Sequence, residues 1–186
     1  MARNSTPARP NVILLLTDQQ RATQHFPANW EKKRLRNLSR LKRHGLSFER
    51  AFCNACMCSP SRSTLFTGLY PAEHKVFDTL SFGGVFSDTE TELDPTIPNL
   101  ATTLRPAGYR TPYRGKWHLC KGANGEATQI QEDISIYGFE GWVAPDAGED
   151  TDIRNFGGGY AAHDARYIRE AVEFLKGADP NQPFCL

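Results

Sequence analysis

Apolar residues first run together at residues 12–16, and the run ends on the polar pair Asp18 and Gln19. An uninterrupted apolar run of this length predicts a strand covered on both faces of a parallel sheet, with its polar end at the carboxyl edge, where open α/β sheets bind ligands. Leu35, Leu38 and Leu41 recur at helical spacing among basic residues, which predicts an amphipathic helix over 31–44 that stops before Gly45. Residues 46–52 read as a second strand, 98–105 as a helix stopped by Pro106 and Gly108, and 109–116 as a third strand. The stretch 122–159 is rich in Gly, Asp and Glu without sustained periodicity, so a long surface excursion near the site is expected there. Ala161, Ala165, Ile168, Val172 and Leu175 then mark one face of a helix. The chain closes on Phe184-Cys185-Leu186, which reads as the start of another buried strand.

Strand and helix in alternation predict an α/β layered domain over 11–186, preceded by a flexible polar segment at 1–10. The break in the last apolar run makes the chain an expected fragment of a longer domain. At 186 residues a real core can form, and a net charge of +1 creates no global field for nucleic acid or a membrane surface. The basic side chains of 31–44 therefore read as a solvated face. No apolar run approaches the roughly 20 residues of a membrane span, and 1–10 lacks the apolar stretch of a signal peptide, so a cytoplasmic protein is expected. Five cysteines suit no disulfide framework in that compartment. Cys53 and Cys56 have a zinc-like spacing, yet no second Cys or His pair completes a structural zinc site.

The densest chemistry lies at Cys58-Ser59-Pro60-Ser61-Arg62-Ser63-Thr64-Leu65-Phe66-Thr67-Gly68. Ser59 can cap and Pro60 can take the first helical position, so a helix is expected to start after Cys58 and run to Gly68. Its amino end would favour an oxyanion beside Cys58, and Arg62 in the first turn adds a planar charge. A second segment, Gly115-Lys116-Trp117-His118-Leu119, in extended form would send Lys116 and His118 to one side and Trp117 to the other.

These segments, with the opening Pro10-Asn11 strand that ends at Asp18, resemble the sulfatase family. The resemblance implies an alkaline phosphatase-like α/β fold with a mostly parallel sheet flanked by helices. It also implies that a formylglycine-generating system oxidises Cys58 to formylglycine. In that reading Asp18, Gln19 and the modified Cys58 hold a divalent metal, Ca²⁺ foremost, with Mg²⁺ or Mn²⁺ as alternatives. Arg62 and Lys116 neutralise charge at the nucleophile, and His118 polarises or protonates the reacting oxygens. Gln19 stands where many members have a second Asp, which removes one negative charge from the metal site. Cys120 and Lys75 replace residues that are commonly small in the family, and His74 reads as structural. The family's second metal-ligand pair and a further Lys or His near the leaving group would lie beyond Leu186. The implied substrate is a small-molecule or carbohydrate sulfate ester. Phosphonate monoesters or phosphate diesters are the alternative substrates, and a metal-binding remnant without catalysis is the alternative of another class.

Overall fold

A computed structural model of the chain describes residues 9–18, 20, 26–48, 50–80, 90–121, 134–143, 146 and 161–186, with side chains from 164 onward in the last helix. Gln19 and most of the polar segment 1–10 lie outside the described residues. The chain divides into two compact units, residues 15–53 and residues 1–14 with 54–186.

Within 15–53 the single amphipathic helix expected over 31–44 is two helices, α1 (Trp30–Arg34) and α2 (Arg36–His44). Leu35 divides them, at φ −113° and ψ 60°. Neither proline nor glycine marks this break, and nothing in the sequence explains it. Backbone bonds from Leu35 N–H to Glu31 O (2.7 Å) and from Ser39 N–H to Leu35 O (2.9 Å) run across it. The basic side chains face solvent as expected, and the exposed Lys42–Glu31 pair at 2.9 Å contributes little. Residues 46–48 and 50–52 form no strand; Leu46, Phe48 and Phe52 are exposed.

The larger unit contains α3 (Cys58–Thr67), α4 (Pro71–His74), α5 (Leu100–Leu104) and α6 (Ala161–Gly177), with short 3-10 turns at Arg105–Ala107 and Ser135–Tyr137. Asn99 caps α5 by accepting from the amides of Ala101 and Thr102, and Gly108, at φ 85°, ends the turn that follows. The α-helix ends at Leu104, two residues before Pro106, which has no N–H to continue it, and Gly108 closes the 3-10 turn that contains Pro106.

Extended segments meet through isolated parallel bridges, Val12 with Cys185, Arg110 with Phe184 and Pro112 with Glu140. Residues 184–186 thereby lie between the first apolar run and 110–112, which agrees with their reading as strand-forming. The described residues do not extend these bridges into a mostly parallel sheet flanked by helices. The first run is also not buried: Val12, Ile13 and Leu14 are 41–58% exposed. Leu186 O and Phe184 O bind one edge of it, and among the described residues no strand binds the other.

The core is aromatic and centres on Trp117, which is fully buried. Its ring lies 5.4 Å from Phe66, 5.4 Å from Phe139, 5.0 Å from Tyr137 and 5.5 Å from Tyr113, in tilted or edge-on arrangements that suit ring quadrupoles. Ile134, Tyr137, Phe139 and Trp142 belong to this core, so the middle of the expected surface excursion is interior structure. Apolar residues spaced through a polar stretch carry that outcome. Helix α6 also turns a different face inward. Phe174 packs edge-on to Phe184 at 5.2 Å and lies under the Arg110 guanidinium, whereas Ile168, Val172 and Leu175 are exposed.

Candidate active site

Helix α3 begins two residues earlier than its sequence predicts. Met57 is its N-cap, without a side-chain capping bond, and Cys58 is the first helical residue. Ser59 does not cap. Its hydroxyl donates to His118 O (2.7 Å) and accepts from Leu80 N–H (3.2 Å), a role that its full burial requires. Spacing along the helix turns Ser59, Arg62, Ser63 and Phe66 to one buried face, and Gly68 closes the helix at φ 73° by donating to Thr64 O.

The same face brings Cys58 to the 115–119 segment. Lys116 Nζ lies 3.5 Å from Cys58 Sγ. Arg62, only 7% exposed, donates through Nη1 to Lys116 O (2.7 Å), and Tyr113 donates its hydroxyl to the same oxygen (2.6 Å). Trp142 Nε1–H binds Gly115 O (2.8 Å), where Gly115 has φ 126°, a backbone region that L side chains rarely adopt.

The extended alternation expected for Lys116 and His118 fails at His118, whose φ is 60°. A left-handed residue ends strand geometry, so the two side chains are not a regular same-face pair. His118 is buried, and its Nε2 lies 2.7 Å from Leu80 O. A carbonyl only accepts, so Nε2 carries the proton, and in this arrangement it is committed to the backbone.

Sequence reasoning missed Asp146. It is 1% exposed and accepts from Trp117 N–H (2.8 Å) and His118 N–H (2.5 Å). Burial raises its pKa, opposed by these two amides and by the positive charges of Arg62 and Lys116. Its place in a Gly- and Asp-rich stretch hid it; nearby Phe139 and Trp142 were the available signal that this stretch turns inward.

None of the five cysteines forms a disulfide, Cys53 and Cys56 are exposed, and burial pushes the Cys120 thiol up to about 12. Cys185 is buried, and that burial also raises its pKa.

His74 is structural in its bonding. Val76 N–H donates to Nδ1 (3.1 Å), so the proton sits on Nε2, which faces Thr64 Oγ1 at 3.1 Å. Lys75, at φ 65°, takes the left-handed cap position that glycine fills more easily. Burial lowers the His74 pKa below 6.5, so the unfolded chain takes up the proton first. The contribution of neutral His74 is therefore complete above pH 6.5 and declines as the pH falls from there to the folded-state value. Denaturation midpoints taken on both sides of this window should fall less on acidification for His74→Gln than for the unsubstituted protein.

Asp18 ends the extended first run at an exposed bend, and it belongs to the 15–53 unit. Its carboxylate is a hard oxygen donor suited to Ca²⁺ or Mg²⁺. The described residues contain no group of three or more His, Cys, Asp and Glu that could hold a metal ion. Elsewhere, a cavity of about 480 Å³ lined by Arg105, Tyr109, Arg110, Glu140 and neighbours shares no residue with the Cys58 cluster.

The sequence model of the Sulfatase family matches residues 10–186. The chain belongs to the sulfatase family. An N-acetylglucosamine-6-O-sulfatase of Bacteroides thetaiotaomicron is 29% identical over 96% of this chain and 29% of its own length. Rat (Rattus norvegicus) arylsulfatase G is 36% identical over 60% of this chain and 20% of its own. A solved structure described as a complex with its substrate D-glucosamine-2-N,6-O-disulfate matches with a TM-score of 0.60 and 24% identity, over 96% of this chain and 33% of that one. A second, in complex with a neocarrahexaose, has a TM-score of 0.58 at 23% identity, over 81% of this chain and 38% of that one. The chain thus shares the fold of the part of these solved structures that it covers, and it spans about a third or less of the curated relatives it matches.

Proposed function

We propose that the whole protein hydrolyses sulfate esters of carbohydrates through a formylglycine formed at Cys58. The observation that carries this reading is the Lys116 ammonium 3.5 Å from Cys58 Sγ, on a helix whose Arg62 is tied to the Lys116 backbone. Cys58 Sγ marks the place of the formylglycine oxygens. Hydration of the aldehyde gives a geminal diol; one hydroxyl attacks sulfur, and the ester oxygen leaves with a proton as the alcohol. The second hydroxyl then loses its proton, the carbon–oxygen bond to sulfate breaks, and the aldehyde re-forms.

Lys116 and Arg62 supply fixed positive charge where the transferring group gains negative charge, the type of contribution that dominates many such sites. Because His118 Nε2 holds Leu80 O, a proton-transfer role for this residue falls to Nδ1. Asp18, Gln19 and an oxygen of the hydrated residue 58 are the donors proposed for a divalent ion, Ca²⁺ first and Mg²⁺ or Mn²⁺ as alternatives. When bound, such an ion favours the ionised form of the attacking hydroxyl. The carbohydrate class is supported by the match to an N-acetylglucosamine-6-O-sulfatase over nearly the whole chain.

Side-by-side turnover of an activated aryl sulfate and the matching aryl phosphonate by the modified whole protein tests the reading. Preference for the sulfate by at least about tenfold, or 1.4 kcal/mol in transition-state binding, is expected. Preference for the phosphonate would move the protein to the alternative substrate class.

A further inference from the structure

The Lys116–His118 turn is held from two sides. Lys116 O faces Arg62 and Tyr113, while the next two amides, of Trp117 and His118, both point at the carboxylate of Asp146. Successive N–H groups converging on one anion form a backbone nest, and a left-handed residue is the usual way to build one. His118 takes that conformation at φ 60° although it has a side chain, which costs backbone strain. The two charge-assisted bonds to Asp146 offset this cost. Without the carboxylate, two buried amides would lose their acceptor and the left-handed turn its main support.

We infer that Asp146 is a positioning residue for the reaction: by filling the nest at Trp117 and His118 it fixes the turn that aims Lys116 at residue 58. This inference rests on the reading of residue 58 as the nucleophile. Trp117 reinforces the placement, since its ring anchors the middle of the turn in the core while its amide is held by Asp146.

The test compares Asp146→Asn and Asp146→Glu in the whole protein. Asparagine keeps one acceptor oxygen and loses the second; glutamate keeps the charge at a different reach. For Asp146→Asn, kcat on an activated aryl sulfate is expected to fall about 10- to 100-fold with KM changed less than about threefold, and Asp146→Glu should recover part of the loss. In a Lys116→Ala background the same asparagine change should cost less than about threefold, because the group it positions is gone. A kcat within about twofold of the parent, or equal losses with and without Lys116, would overturn the inference. Amide hydrogen exchange supplies a readout independent of turnover: Asp146→Asn should speed exchange at Trp117 and His118 by at least about tenfold, while Ala101, capped by Asn99, stays unchanged. Unchanged exchange at the two amides would also overturn it. A parent protein that hydrolyses no sulfate ester but shows the exchange effect would remove the proposed reaction and leave the nest assignment standing.

Discussion

Replacing Cys58 with alanine in the whole protein is expected to abolish multiple turnover of an aryl sulfate, with kcat lowered by more than about 10³-fold. The expectation follows from covalent chemistry. Alanine cannot become an aldehyde, so no geminal diol forms, and charge stabilisation by Arg62 and Lys116 has no nucleophile to act on. The fold should survive. Cys58 is half-buried at the first helical position of α3, where alanine is a good helix former, and the helix is held through Ser59, Arg62 and Phe66. Near-identical denaturation profiles with lost turnover are the expected pair of observations. Cys58→Ser is expected to be equally inactive in a host whose modifying system accepts only cysteine.

Trp117→Ala is expected to act on the fold, at a cost of about 3–5 kcal/mol. Its ring touches Phe66 of α3, Tyr113 before the turn, and Tyr137 and Phe139 from the inward-turning middle of the chain. Truncation opens a cavity among four aromatic side chains from three separate segments, so little local collapse can fill it. Domains are stable by only about 5–15 kcal/mol, so a loss of this size consumes a large share. Chemical denaturation of the whole protein should show a large fall in midpoint for Trp117→Ala and a smaller one for Trp117→Phe, which keeps a ring at the centre. Activity should fall with Trp117→Ala even where the protein remains folded, because Lys116 and His118 flank the lost anchor.

Much of the site was legible because its chemistry is local. Cys58 and Arg62 are four residues apart, one helical turn, and Gly68 marks the end of the same helix. Lys116 and Trp117 read as neighbours on opposite sides of one segment, and the structure has Trp117 in the core and Lys116 Nζ 3.5 Å from Cys58 Sγ. Non-local contacts were hidden. Ser59 looks like a cap because Ser-Pro starts many helices, but burial under Leu80 and His118 claims its hydroxyl instead. Asp146 lies 28 residues from the amide it binds at 2.5 Å, and no spacing rule reaches that far. The left-handed backbone at His118 likewise depends on that distant carboxylate.

The fold was legible in a similar way. Helix α6 and the pairing of 184–186 followed from periodicity and apolar content. The inward face of α6 did not. An apolar stripe of Ile168, Val172 and Leu175 obeys helical spacing, yet Phe174, one position before Leu175, is what packs on Phe184. The exposure of Val12, Ile13 and Leu14 has the same lesson: an apolar run predicts a strand that can be buried, and neighbours decide whether it is.

The central claim is that Cys58 is the residue converted to the nucleophile, and the most direct measurement is the mass of the peptide that contains it after expression with an active formylglycine-generating system. The account predicts the aldehyde mass at Cys58, with Cys53 and Cys56 left as thiols. An unmodified Cys58 in that host, or conversion at Cys53 or Cys56 instead, would contradict it.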